Sequence, residues 1–285
     1  MIGNISFAPF TLCCGDRLVE FCRPAVMGIL NATADSFYDG GRYVSERQIV
    51  ERAINIDAEG ADIIDIGVVS TRPGATMLTP DEEALRLSKV VAMVRRELPQ
   101  SVISVDTCYS LPARAAVESG ADIINDIGGG DFDNNMFSTV AELRTPYILM
   151  HNPHGSPDNP AGVGTSDPSP VASMAKGFSA KLRKLYDLGV RDVVIDPGFG
   201  FSKTLDDNYV LMSHIDELRR LFPNNPLLVA LSRKSMIYKL LGTTPDDALV
   251  GTVALHTVAL LAGAQMLRAH DVRATRQTID VVGKM

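Results

Sequence analysis

Three polar residues far apart in this chain could together grip a flat heterocycle. Asp106, Asn125 and Asp196 end the apolar runs Val102 to Asp106, Ile123 to Asn125 and Val193 to Asp196. A carboxylate accepts two adjacent donors and an amide offers one donor and one acceptor, so the trio suits the amino and ring N–H edge of an aminopyrimidinone. Helix capping is the competing reading for any one Asp at a strand end; three such residues on one rim favour a ligand. A second set is cationic: Arg72 in Ser70-Thr71-Arg72-Pro73-Gly74, Arg233 and Lys234 directly after Ser232, and Arg268 two places before His270. Guanidinium forks match phosphate oxygens, so this set suits a diphosphate, and Ser232 or a following helix N-terminus could hold a second anion such as a carboxylate. On a strand, Arg268 and His270 point the same way. Asn31, with Thr33, Asp35 and Asp39 behind it, offers oxygen ligands of the kind Mg²⁺ takes beside a diphosphate, although capping the turn would also explain Asn31. The turn Asp196-Pro197-Gly198-Phe199-Gly200-Phe201 presents an aromatic ring, Phe201, that could flank a second, aromatic substrate. His151 and His154 have no partner at a metal-binding spacing and read as hydrogen-bonding residues.

Such residues act together only if the fold brings them together, and the pattern of runs says how. Eight apolar stretches each end on a polar residue: Val26 to Asn31, Ile63 to Asp65, Val102 to Asp106, Ile123 to Asn125, Tyr147 to His151, Val193 to Asp196, Leu227 to Ser232 and Ala264 to His270. They recur at about the length of a strand-plus-helix unit, and eight parallel strands closed into a barrel put all their carboxyl ends on one face. Helical spacing follows in Glu46 to Ala58, Pro80 to Leu98, Pro112 to Glu118, Val171 to Leu188, Leu205 to Leu221, and Met236 to Leu241 continuing into Val250 to Leu261. The expectation is a single (β/α)8 TIM barrel over residues 1–285. Residues 1–24 would hold an N-terminal β-hairpin, turning at Gly15-Asp16, that caps the barrel bottom. Two long strand-to-helix loops, Ser70 to Leu78 and Asn152 to Pro170, would lie over the active face, the second as a surface excursion or a lid.

Composition narrows the partners. A net charge of −7 over 285 residues argues against a general nucleic-acid-binding surface, so any anion site must be local. No basic segment followed by an apolar stretch opens the sequence, and Val253 to Leu267 is broken by His256, Gly263 and Gln265, which argues against secretion and membrane insertion. Cys13, Cys14, Cys22 and Cys108 include an adjacent pair that is awkward to bridge and read as reduced thiols of a cytoplasmic protein.

Taken in order, the strand-end motifs resemble those of the dihydropteroate synthase family over almost the whole chain. Met27-Gly28-Ile29-Leu30-Asn31-Ala32-Thr33-Ala34-Asp35-Ser36-Phe37-Tyr38-Asp39-Gly40-Gly41 is similar to the first signature and Ser70 to Gly74 to the second loop. Ser104 to Thr107, Ile124 to Asp126, Leu149 to His151, Asp196 to Phe201, Ser232 to Lys234 and Arg268 to Asp271 are similar to the rest. The resemblance implies condensation of 6-hydroxymethyl-7,8-dihydropterin diphosphate with 4-aminobenzoate, Mg²⁺ as cofactor, a homodimer, and the target of sulfonamides. It assigns the pterin to Asp106, Asn125, Met150, Asp196 and Lys234. The diphosphate goes to Arg268, His270 and Asn31 with Mg²⁺, and the aminobenzoate to Thr71, Arg72, Pro73, Phe201 and Ser232. It implies catalytic roles for Lys234, Arg72, Arg268 and His270 among these, and for Asp35 as well. A pterin-binding methyltransferase domain or a non-catalytic pterin-binding relative would share the barrel. The chain departs from the family pattern where a Gly-led pair is replaced by Val68-Val69, a proline by Ala34, and an often-present glycine by Ser202. If position 68 requires φ > 0, a β-branched residue there would displace the loop carrying Thr71 and Arg72.

Overall fold

The computed structural model describes residues 7–33, 42–69, 78–157, 159–164 and 166–285. Its architecture follows from a two-residue alternation along each strand. In the barrel strands one set of side chains points inward and the other outward onto the helices.

The chain begins with β1 (Phe10–Cys14) and β2 (Arg17–Phe21), an antiparallel hairpin in which Phe10 faces Phe21. Gly15, at φ +60°, supplies the left-handed conformation of the tight turn. Eight parallel strands follow: β3 (Ala25–Asn31), β4 (Ile63–Gly67), β5 (Val102–Asp106), β6 (Ile123–Asp126), β7 (Tyr147–Met150), β8 (Val193–Asp196), β9 (Leu228–Val229) and β10 (Met266–Ala269). Neighbours in sequence are neighbours in the ladder, β10 pairs with both β3 and β9, and a bridge between Ile195 and Leu227 closes the ring. Beneath, Leu12, Cys14 and Phe21 of the hairpin pack with Ala25, Ile63, Val102, Ile123, Leu228 and Met266, the first residues of six strands. This apolar plug fills one end of the barrel, so the polar residues sit at the other. Register also sets neighbours there: Asp106 lies beside Asn125, and Met150 beside Asp196.

Outside the ring are α1 (Arg42–Ala58), α2 (Pro80–Glu97), α3 (Ser110–Glu118), α4 (Met136–Leu143), α5 (Pro170–Asp187), α6 (Leu205–Ser213), α7 (Ile215–Leu221), α8 (Ser235–Leu241), α9 (Leu249–Leu261) and α10 (Val272–Val282). Thr79 and Glu82 form a reciprocal capping box at the start of α2, with Pro80 in the first turn. None of the helices among the described residues is long and apolar enough to cross a membrane.

Four expectations need correction. The stretch Leu205 to Leu221 is two helices rather than one, because His214 leaves helical geometry and its Nδ1 lies 2.7 Å from Val210 O, within hydrogen-bond reach. The seventh barrel strand is shorter than Leu227 to Ser232: from Leu231 the chain turns, Lys234 N donating to Leu231 O, and Arg233 sits at φ +55°. Helices α4 and α10 add to the expected set; in both the buried residues recur at helical spacing, Met136, Thr139 and Val140 in α4 and Val272, Thr275, Ile279 and Val282 in α10. Finally, Val68 is not among the positive-φ residues and is buried in the barrel–helix core, so the left-handed conformation that would have displaced the following loop is absent at that position; the loop itself, 70–77, lies outside the described residues. Left-handed geometry falls instead on Ser202, at φ +54°.

Candidate active site

A charged core lies just above the apolar plug. Arg268 Nε donates to Asp65 Oδ2 at 2.6 Å and its Nη2 to Asp106 Oδ2 at 2.9 Å, so one guanidinium bridges strands β4 and β5 from β10. Asn125 Nδ2 donates to the same Asp65 oxygen at 3.1 Å. Asp65 is fully buried, and a buried carboxylate persists only when cations and donors surround it. The carboxylates outweigh burial at Arg268 and hold its pKa above the usual arginine value.

Above this core the strand ends enclose a small cavity of about 40 Å³ lined by Asp106, Asn125, Met150, Asp196, Phe201, Lys234 and Arg268, among others. It opens toward a cleft of about 1000 Å³ whose walls include Asn31, Phe201, Ser232, Lys234, Arg268 and His270. The geometry of Phe201 comes from the turn after β8. Gly198 N donates to Asp196 Oδ1 at 2.8 Å, and Gly198 (φ +67°) passes so close to β7 that a Cβ there would lie 2.4 Å from His151 O. Lys234 Nζ donates to Phe199 O and stands 4.6 Å from the centre of the Phe201 ring, a cation–π contact.

Away from Arg268, burial sets the direction of the shifts. It raises Asp196, against the pull of Lys234, and raises Asp106, against Arg268 and Lys234. It lowers Lys234 to about 8, Asp196 opposing, and lowers His270 to about 4, so that His270 is a neutral imidazole at pH 7.

Asp106, Asn125, Met150, Asp196, Phe201, Lys234 and Arg268 therefore meet at one pocket, and Asn31, Ser232 and His270 join them in the cleft. Asp35, Thr71, Arg72 and Pro73 lie outside the described residues. Arg233 is not a free phosphate ligand: its Nε and Nη2 each donate to Asp271 at 2.8 Å, which ties the β9 and β10 ends together. Sequence reasoning passed over several positioning residues. Asp65 ended a recognised run without a role. Asp126 accepts from Gly128 N, Gly130 N and Tyr147 Oη and so shapes the loop after β6. Asn152 donates to Ile127 O and Pro160 O and accepts from Ser202 Oγ at 2.5 Å, joining three loops. Burial pushes Glu83, on α2 near Asp106, up to about 7. Asp65 and Asp126 both stand at strand ends, which is the signal that could have found them; Asn152 and Glu83 carry none.

Comparison with known proteins agrees with this geometry. The model of a family described as pterin binding enzyme matches residues 27–270. A dihydropteroate synthase of Synechocystis sp. is 39% identical over 262 residues, covering 91% of this chain and 89% of the relative. Among solved structures, a Xanthomonas albilineans dihydropteroate synthase with 4-aminobenzoic acid superposes with a TM-score of 0.86 at 37% identity, covering 95% of this chain and 96% of the other. The same organism's enzyme in complex with 7,8-dihydropteroate gives 0.83 at 34% identity, covering 95% and 97%.

Proposed function

The chain belongs to the pterin-binding enzyme family, and we propose that its barrel mouth joins 6-hydroxymethyl-7,8-dihydropterin diphosphate to 4-aminobenzoate. It is an enzyme of the dihydropteroate synthase type, a transferase of folate synthesis. The observation that carries the reading is the convergence of Asp106, Asn125, Asp196 and Lys234 on one small cavity opening into a cleft that holds Arg268 and His270.

In this reading the carboxylates and Asn125 take the amino and ring N–H edge of the pterin, Met150 packs on its face, and Lys234 donates to its oxo group. Arg268, with Nε and Nη2 already committed to Asp65 and Asp106, is held rigid and offers its remaining donors to the diphosphate. Neutral His270 adds a hydrogen bond. Phe201 and Ser232 frame the aminobenzoate; Thr71, Arg72 and Pro73, which the family resemblance adds to that site, lie outside the described residues.

The C–O bond between the pterin methylene and the diphosphate breaks, the aniline lone pair forms the new C–N bond, and the attacking nitrogen then loses a proton to water. Preorganised cations stabilise the departing charge and no strong base is required.

Among the described residues no group of three His, Cys, Asp or Glu could hold a metal. Asn31 supplies one hard oxygen at the cleft that holds Arg268 and His270, which fits Mg²⁺ carried largely by diphosphate oxygens. Bound there, Mg²⁺ would offset the charge of the leaving group. A second copy of the chain would cover the apolar side chains exposed on α8 and α9, including Leu240, Leu241 and Val250. The four free cysteines suit a cytoplasmic location.

Incubating the purified chain with both substrates and Mg²⁺ and following dihydropteroate by chromatography tests the proposal. Pterin binding without product would favour the non-catalytic or methyl-transfer alternatives.

A further inference from the structure

Lys203 is half-buried behind the turn that follows β8, and it takes no part in the reaction as described. Its Nζ donates to three main-chain carbonyls: His151 O at 3.0 Å, Gly198 O at 2.9 Å and Phe201 O at 2.9 Å. As an ammonium Lys203 has three protons, one for each carbonyl, although burial lowers its pKa to about 7 against the pull of Asp196. Two of the acceptors lie in the turn and the third at the end of β7, so the side chain ties a loop to a strand of the barrel. The clamp adds to bonds within the turn, where Phe201 N donates to Gly198 O at 3.1 Å and Gly200 N to Asn208 Oδ1 at 2.7 Å. Gly198 and Gly200 both adopt left-handed φ, +67° and +80°, and their carbonyls lie outside the barrel's ladder.

The direction in which Lys203 leaves the chain is itself fixed. Ser202, before it, is left-handed, with its N donating to Ala161 O at 3.0 Å and its Oγ to Asn152. On the far side of the turn, Phe201 faces Lys234. Lys203 does not line the cleft, and with every proton engaged it is not a cation for the diphosphate.

We propose that Lys203 is a positioning residue for the synthase reaction: by clamping the His151, Gly198 and Phe201 carbonyls, it fixes the Phe201 ring as the wall of the aminobenzoate site. The kinetic consequence rests on the assignment of Phe201 made above; the clamp itself does not.

Two measurements on Lys203→Met separate them. With 4-fluorophenylalanine placed at position 201 alone, the intact protein should give one narrow ¹⁹F line, and Lys203→Met should broaden or split it. In steady state, Lys203→Met should raise the KM for 4-aminobenzoate about tenfold, the scale of one or two lost hydrogen bonds, while the Kd for the pterin diphosphate changes by less than about threefold. Phe201→Leu should do the same, and the double variant should be no worse than Phe201→Leu alone, since the two act through one ring. Lys203→Arg, which keeps charge and donors, should recover most of the loss.

If the fluorine line responds but Phe201→Leu leaves the aminobenzoate KM unchanged, the assignment of that wall fails and the clamp stands. An unchanged fluorine line, or equal loss of both substrates with additive effects, would overturn the clamp. Should Met prevent folding, Lys203→Gln, with two donors left, runs the same comparison.

Discussion

Arg268 shows how much of the site depends on one side chain. Its guanidinium bonds Asp65 through Nε and Asp106 through Nη2, a fork that a lysine point charge cannot reproduce. Arg268→Lys is therefore expected to lower kcat/KM on the order of a hundredfold, measured in steady state, because it disturbs both the diphosphate contact and the set of Asp106. A variant with near-normal kcat/KM would mean that charge alone suffices. Residues whose chemistry is displayed at a strand end were legible in the sequence: Asp106, Asn125, Asp196, Lys234 and Arg268 all reach the pocket. Residues that work by holding something else were not. Lys203 bonds main-chain carbonyls that any residue carries, Glu83 looked like an ordinary acid in a first helical turn, and the pairing of Arg233 with Asp271 depends on which strand ends become neighbours.

At the scale of elements, the most informative position is Ser202. It holds φ +54° without being glycine, and its hydroxyl supplies the donor for buried Asn152 Oδ1. Ser202→Ala keeps the strain and strands that acceptor, so a loss of about 1–3 kcal/mol in urea unfolding is expected. Ser202→Gly loses the same bond but gains back about 1 kcal/mol by relieving the left-handed strain, and should be the milder change. The reverse ranking would show that left-handed strain at position 202 does not separate the two, and full stability in both would show that the hydroxyl does not carry the staple. The departure at Val68 gave the opposite lesson, since its side chain fills the core and its backbone is ordinary. Strand positions could be read because alternation and polar ends coincide. Helices α4 and α10 carry the same kind of signal, since Val272, Thr275, Ile279 and Val282 recur at helical spacing and α4 buries Met136, Thr139 and Val140, but α4 is only eight residues long and Thr and Val have low helix propensity.

For the whole molecule, buried histidines and buried acids set opposite pH trends. His256 on α9 is fully buried, and burial brings its pKa from 6.5 down to about 4. The folded state thus favours the neutral ring, and stability present above pH 6.5 is lost as pH falls toward 4, by about 3 kcal/mol at about 1.4 kcal/mol per pH unit. Glu83 is raised to about 7, so its contribution is present below its unfolded value and is lost as pH rises through 7. Urea midpoints of the intact protein and His256→Leu between pH 4.5 and 6.5 should show a shallower acid slope in the variant; equal slopes would remove His256 from the account. Sedimentation should give a dimer, and Val250→Arg, at a residue 80% exposed on α9, should give a monomer; a monomeric intact protein would contradict the proposed pairing. The central claim is that the polar strand ends form one condensing site, and the most direct measurement is diphosphate release from the pterin diphosphate with and without 4-aminobenzoate, set against Lys234→Ala. Release that depends on aminobenzoate, matches dihydropteroate formed and disappears in Lys234→Ala is the predicted result. Bound pterin diphosphate that never yields diphosphate, or release indifferent to aminobenzoate and to Lys234, would contradict it.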